Sequence, residues 1–483
     1  MVWSPPNNQR RPTSARPERL PAPGGYRLVS ALFLRLLALI YLAAFVSLGL
    51  QISGLAGSEG ILPLQQHLDF VQQRFGWHGY TLLPTLFWLD AGDLALQGAA
   101  LAGCVFALLL LFNRLVRSSL VLLFLLYLSL VQAGQTFTNF QWDYLLLEAG
   151  FLAILLPTGS PIAVWLFRWL LFRLRFLSGA AKLVSGDPSW AGFTALHYYF
   201  ETQPLPHMGA WYAHQLPDWL LRSGTGLTLF VELVVPFFIF LPRTFRLIAA
   251  FSTIAIQVLI ILTSNHNFIN LLTIILCLFL LDDQALRRLL PGRPVGARLP
   301  STTPLVGLVA LPLIALLIVP TSVYAAWEFF GDRERAAWHH PFNWVRGWGL
   351  GNVFHIFPTM QTERHELTIQ GSDDGKEWRR MNLNMPPLPV HDIEVKGNDL
   401  VIATHGMGFW VLDEIGPLRQ FSWDMAEAPA HLFKPGDHTR FGYHWWVEYG
   451  GGPPSDKKYY FVRNAEPGYT FYERGTVNGE RKR

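Results

Sequence analysis

The stretch RLRFLSGAAKLVSGDPSW, residues 173–190, sets Arg173, Arg175 and Lys182 in or beside an apolar run long enough to cross a bilayer. A charge at the bilayer centre costs about 2.5–3.5 kcal/mol on insertion scales, so cations there are expected to be paired or used. Two helical turns take about 7.2 residues, so residues seven apart return to nearly one face. Arg168, Arg175 and Lys182 are spaced in this way and form one cationic stripe, with Arg173 off it. Glu148 and Glu232, near mid-depth of the flanking runs, are the expected partners, and Asp143 is expected at about the level of Lys182. Two readings stay open. The charges either fix helix packing as ion pairs, or they line a polar cavity in which Lys182, its pKa lowered by burial, acts as a base. Gly179-Ala180-Ala181 just before Lys182 permits close helix approach in either case.

The rest of the chain supports a membrane setting. It is 51% hydrophobic and 15% charged, against about 25% charged for an average soluble domain. The net charge of +4 does not point to nucleic acid, because the Lys and Arg sit in short clusters between apolar runs without a binding signature. Cys104 and Cys277 both fall inside apolar runs, which excludes a disulfide framework. Residues 1–27 read as a disordered basic arm. The run after them reads as a first spanning helix and not as a signal peptide.

Nine apolar runs are long enough to be candidate spans, near 28–50, 91–112, 116–134, 142–157, 161–182, 225–241, 244–262, 267–282 and 304–323. With nine spans, four Arg clusters fall on one side: residues 10–27, Arg114 with Arg117, Arg243 with Arg246, and residues 287–298. The positive-inside rule then makes the N-terminus cytoplasmic. The expected fold is a polytopic α-helical membrane protein of about nine transmembrane helices, over 28–323, followed by a β-rich extracytoplasmic domain over 324–483. Within that domain, the turns GSDDG and KGND separate strand-like alternation and predict hairpins, and THGMG at 404–408 reads as a turn between strands.

Outer loops at 51–90 and 183–224 are rich in Trp, Tyr and Pro. They read either as interfacial aromatic belts or as a binding surface. On the eighth run, Asn265 can cap the helix, while His266 and Asn270 lie four apart and could line a polar pocket. No second His stands four residues from His266, and His197, His207 and His214 lack ligand spacing, so neither metal nor cofactor is expected.

Several stretches resemble the lipase maturation factor family. They are QWDYLLLEAGFLAILL, the run from FRLRFLSGAAKL to AWYAHQLP, ELVVPFFIFLPRTFR and SNHNFINLLTIILCLFLLDD, with NVFHIFPTMQTERHELTIQGSDDGKEWR after them. The resemblance covers about 30–380 and implies a multi-pass membrane protein. It would sit in the endoplasmic reticulum if eukaryotic or the inner membrane if bacterial, and assist lipase folding without hydrolysing lipid. More distantly, GAAKL resembles the membrane domain of vitamin K-dependent γ-carboxylases, where a Lys at the position of Lys182 is thought to act as base. From about 383 to 483 the tail is atypical and is similar to the end of sialidase-like BNR-repeat proteins. Only part of one blade is present, so no glycosidase activity is expected.

The expected function is therefore a membrane folding factor with a secreted, lipase-like client, the lipid bilayer as its other partner, and no nucleic acid. Client contact is expected on Trp190, His197, Tyr198, Tyr199, Glu201, Thr202, Gln203, Pro204, His207 and Trp211. The alternative is a membrane enzyme using Lys182. A transporter is disfavoured because no inverted repeat of broken helices is visible.

Overall fold

A computed structural model describes residues 25–290, 309–331 and 340–363 continuously, then short pieces between 370 and 434 and the strand at 471–473. The basic arm before residue 25 and nearly all of the sialidase-like tail past 434 lie outside the described residues. The chain divides into two compact units: Met1–Glu201 with Pro206–Gln361, and Thr202–Leu205 with Thr362–Arg483.

The first unit is helical. α1 (Arg27–Ala56) is 30 residues long, about 45 Å at 1.5 Å per residue. α2 (Leu64–Phe75) buries Leu64, Leu68 and Val71 along one stripe, and α3 (Gly79–Leu82) is a single turn. α4 (Asp93–Leu111) returns along α1, where Gly103 faces the ring of Phe45 so closely that no Cβ would fit. α5 (Val116–Ala133) and α6 (Gln141–Leu155) continue the up-and-down path. α7 (Pro161–Val184) carries the cationic stripe; Ser160 caps it by accepting from the Ile162 N–H, and Pro161 opens its first turn.

Short helices follow: α8 (Pro188–Ala191), α9 (Ala195–Thr202) and α10 (Met208–His214). α11 (Asp218–Leu233) ends ahead of Pro236 and passes into a 3₁₀ segment, Val235–Phe240. α12 (Arg243–Thr263) precedes α13 (Ile269–Leu276), whose 3₁₀ extension reaches Leu280 before the chain turns by 118° into α14 (Asp283–Leu289). α15 (Leu311–Gly331) and α16 (His340–Gly347) are the last described helices of this unit. One contiguous apolar core joins α1, α4–α7 and α13; at its centre Phe33, Phe167 and Phe279 meet with ring centroids 4.2–4.9 Å apart.

Among the described residues six helices are long and apolar enough to cross a membrane, or seven with the bent pair α13–α14. The protein is thus a polytopic helical membrane protein. α7 has the length, at 24 residues, but carries Arg168, Arg173, Arg175 and Lys182. Several boundaries differ from the sequence expectation. α1 runs to Ala56 and α11 starts at Asp218, so both expected outer loops begin or end in helix and contain further helical turns. The last span, expected over 304–323, is a helix reaching Gly331. It continues through Pro320, and the hydroxyls of Thr321 and Ser322 donate to the carbonyls of Leu317 and Val319, which lets these polar residues stay within the helix.

The second unit contains short antiparallel pairs. β1 (Gln370–Gly371) pairs with β2 (Arg379–Arg380), while the rest of GSDDG after Gly371 lies outside the described residues. β3 (Val390–Lys396), β4 (Asp399–Thr404) and β5 (Phe409–Leu412) form a meander. Lys396 faces Asp399 across the KGND turn, where Gly397 has φ +65°, a conformation that glycine adopts without penalty. α17 (Gly416–Gln420) follows, and β6 (Ala430–Leu432) pairs with β7 (Phe471–Glu473).

α7 and α11 approach closely at Gly179. A Cβ on Gly179 would come within 2.8 Å of Glu232 Cβ and 3.0 Å of Leu233 Cγ. Gly179→Ala is therefore expected to destabilise the detergent-purified protein by about 1–3 kcal/mol in thermal unfolding. Gly98→Ala, on α4 with open space around it, should leave the melting temperature unchanged or slightly higher. Equal melting of the two variants would contradict this packing.

Candidate functional site

The helical repeat places the α7 cations on two faces. Arg175 and Lys182 face α11, where a single carboxylate serves both: Glu232 Oε1 is 3.3 Å from Arg175 Nη2, and its Oε2 is 2.8 Å from Lys182 Nζ. Arg173, two residues before Arg175, emerges on the opposite side and forms a close ion pair with Glu148 of α6. All five side chains are buried. Arg168, the third member of the stripe, is not part of this network. It donates to the carbonyl of Phe279 (3.0 Å) and to the Tyr26 hydroxyl near the other end of α7.

The remaining bonds come from an irregular strap after α16, residues 348–361. The Gly351 N–H donates to Glu148 Oε2 at 3.0 Å, and Arg173 Nη1 donates to the carbonyl of Asn352 at 3.0 Å. Lys182 Nζ donates to the carbonyl of Ile356 at 2.6 Å and to Ser178 Oγ at 3.0 Å. Phe354, fully buried, lies 5.7 Å from the Arg173 guanidinium, and the ring of Trp190 lies 5.1 Å from the Lys182 ammonium. Glycine is needed at two points in the strap. Gly349 has φ +75° and Gly351 has φ +70°, and a Cβ would meet Leu147 at 2.7 Å or Thr321 at 2.8 Å. Sequence reasoning assigned this segment to the β-rich part and missed it. The signal was present in WGLGN, two glycines in a stretch that is otherwise apolar.

The Lys182 ammonium thus pairs with Glu232 and donates to Ser178 and Ile356, and the residue is 3% exposed. That is the environment of a charged anchor, and it gives no support to a base. Among the described residues no three His, Cys, Asp or Glu side chains converge as metal ligands.

Asp143, expected at about the level of Lys182, accepts from the Tyr127 hydroxyl at 2.6 Å. It lies at the N-terminal turn of α6, whereas Lys182 faces α11. Asp143, His266 and Asn270 line a separate cleft. His266 Nε2 is 2.8 Å from the Tyr199 hydroxyl, and burial pushes this imidazole down to about 4, against a smaller upward effect of Asn270. The ring is neutral at physiological pH.

The expected client residues divide by burial. Trp190, Thr202 and Gln203 are buried, while Tyr198, Tyr199 and Pro204 are half-buried. His197 Nε2 lies 2.8 Å from Asp218, and His207, half-buried, caps α10 by accepting from the Gly209 N–H. Glu201 is exposed, 3.7 Å from His214. Trp211 is 61% exposed.

A helical bundle that buries three cations among apolar spans, under a strap and beside short aromatic helices, defines a membrane-embedded scaffold. Residues 28–288 match the family model described as the lipase maturation factor transmembrane domain, and the chain belongs to the lipase maturation factor family. Lipase maturation factor 2 of Xenopus laevis is 42% identical over 357 residues, covering 67% of this chain and 50% of the relative. The human lipase maturation factor 2 is 40% identical over 337 residues, with 64% and 47% covered. Lipase maturation factor 1 of Bos taurus is 34% identical over 428 residues, with 81% and 74% covered. The chain spans about half the length of the lipase maturation factor 2 relatives. No solved structure matches it significantly.

Because Glu232 neutralises two buried cations, Glu232→Gln should cost about 3–5 kcal/mol, the penalty of leaving buried charge uncompensated. Lys182→Met leaves the Arg175–Glu232 pair in place and should cost less. Thermal unfolding in detergent at matched purity ranks the two; a larger loss for Lys182→Met would contradict the shared-carboxylate arrangement.

Proposed function

We propose that this membrane protein assists the maturation of a secreted client, of the lipase kind named by its relatives, from the extracytoplasmic end of its bundle. In this reading nine segments cross the bilayer: α1, α4, α5, α6, α7, α11 with its 3₁₀ extension, α12, α13 and α15. The support is that the arginine-bearing turns at Arg114 and Arg117, Arg243 and Arg246, and Arg287 and Arg288 then share one side, the cytoplasmic one under the positive-inside rule. The compartment would be the endoplasmic reticulum in a eukaryote and the inner membrane in a bacterium. The polar network of Arg173, Arg175, Lys182, Glu148 and Glu232 is scaffold, and no glycosidase role is assigned to the tail.

The observation that carries the client reading is an exposed platform on α10 and the start of α11. Met208, Trp211, Tyr212 and Trp219 are 75%, 61%, 61% and 66% exposed. Beneath them Ala210, Ala213 and Leu221 pack with Phe200 into a small core of their own. Rigid aromatic side chains on a preformed base suit the apolar surface of an unfinished protein. Trp190, being buried over Lys182, supports this region and does not touch a client. Tyr198, Glu201 and His207 flank the platform in sequence and are placed at its edge.

The test is the yield of active secreted lipase from a host lacking this protein and complemented with variants at matched membrane abundance. Trp211→Ser with Trp219→Ser should reduce active lipase severalfold or more, while Lys182→Met should retain activity in proportion to its abundance. Full activity from the double variant, or complete loss with Lys182→Met at normal abundance, would overturn the proposal.

A further inference from the structure

At the end of the bundle opposite the arginine-bearing turns, the last turns of α1 and α5, the first turn of α6 and the α12–α13 junction enclose a cleft of about 560 Å³. That is within the usual range of small-molecule sites, about 300–1,000 Å³. Leu48, Leu55, Ile261 and Leu271 give it an apolar wall, and polar side chains including Thr138 and Asn270 line the rest. Ile261 and Leu271 are 38% and 52% exposed, so the cleft opens sideways on the apolar surface of the bundle.

One acidic side chain faces this space. Asp143 is 4% exposed and lines the cleft, with the Tyr127 hydroxyl at 2.6 Å. Glu148 and Glu232 each hold a cation, but among the described residues no cation pairs with Asp143. A carboxylate withdrawn from water into an apolar-walled space is stabilised by a positive partner. Asn270, also buried, adds an amide beside it, while Gln51 and Asn267 are exposed at the rim.

We infer that this cleft binds a phospholipid with a primary ammonium headgroup, its amine on Asp143 and one acyl chain along Leu48, Leu55, Ile261 and Leu271. The phosphate is then left towards Gln51 and Asn267. The same cleft is lined by His266, which contacts Tyr199 of α9, so the bound lipid abuts a side chain that braces the short outer helices. The site is independent of the client reading, since lipid binding needs no client.

The full chain, purified in neutral detergent, is titrated with dioleoylphosphatidylethanolamine or dioleoylphosphatidylglycerol and the retained lipid is measured by native mass spectrometry. The amine lipid is expected to bind about tenfold more tightly, the scale of one charge-assisted contact. Asp143→Asn, which keeps the bond to Tyr127, should abolish that preference without changing thermal stability. Equal retention of the two lipids by the wild type, or an unchanged preference in Asp143→Asn, overturns the assignment. Should Asp143→Asn fail to fold, Ser47→Trp, at an exposed position on the cleft wall, is the second variant. It should lose the amine lipid, and undiminished retention overturns the site. Displacement of the lipid by N-acetyl-lysine amide at equal concentration would show that an amine, and not a lipid, is recognised.

Discussion

One carboxylate holds the centre of this protein together. Glu232 of α11 faces both Arg175 and Lys182 of α7, and Gly179 lets the two helices approach closely enough for it to do so. On the other side of α7, Glu148 pairs with Arg173. Three buried cations are thus set against two carboxylates. The strap supplies part of the difference, because the carbonyl oxygens of Asn352 and Ile356 point at Arg173 and Lys182. The Gly351 N–H satisfies the second oxygen of Glu148. Removing either carboxylate leaves a cation withdrawn from water without its charged partner.

This arrangement turns a polar helix into a hub. α7 packs against α6, α11, α13 and α15, and its charges join helices far apart in sequence where apolar contacts alone would be undirected. Within a bilayer, lipid tails are as apolar as Leu, so directional polar contacts and small residues set which helices meet. The short helices α8 to α10 begin where α7 ends, and Trp190 of α8 is fixed over the Lys182 ammonium. The platform of Met208, Trp211 and Tyr212 is therefore built close to a rigid anchor, although most of its own residues are exposed.

Much of the fold was legible. Long apolar runs mark the helices because a bilayer demands about twenty such residues, and KGND marks the β3–β4 hairpin because its glycine suits a tight turn. Glu148 and Glu232 were legible as partners because an unpaired cation on α7 would be costly. The pairing pattern was less so: seven-residue spacing groups Arg168 with Arg175 and Lys182, yet Arg168 bonds to Phe279 and Tyr26, and Arg173 takes Glu148. Spacing gives a face and says nothing of which neighbour covers it. Asp143 was placed by depth alone, which does not name its partner, the Tyr127 hydroxyl. The strap was invisible because its bonds are made by backbone groups, which every residue carries, and only Gly349 and Gly351 betray it.

The strap also dictates an order of events during synthesis. Arg173 and Lys182 wait for acceptors that lie 179 and 174 residues further along the chain. At the usual elongation rate of about 5–20 residues per second, α7 spends on the order of ten to thirty seconds without them. Glu148 has already been made by then and Glu232 follows soon after, so the two carboxylates can neutralise α7 while the later helices are still being translated. The ribosome therefore delivers a bundle that is charge-paired early and closed late, and any nascent chain released before residue 356 leaves the Lys182 ammonium one acceptor short.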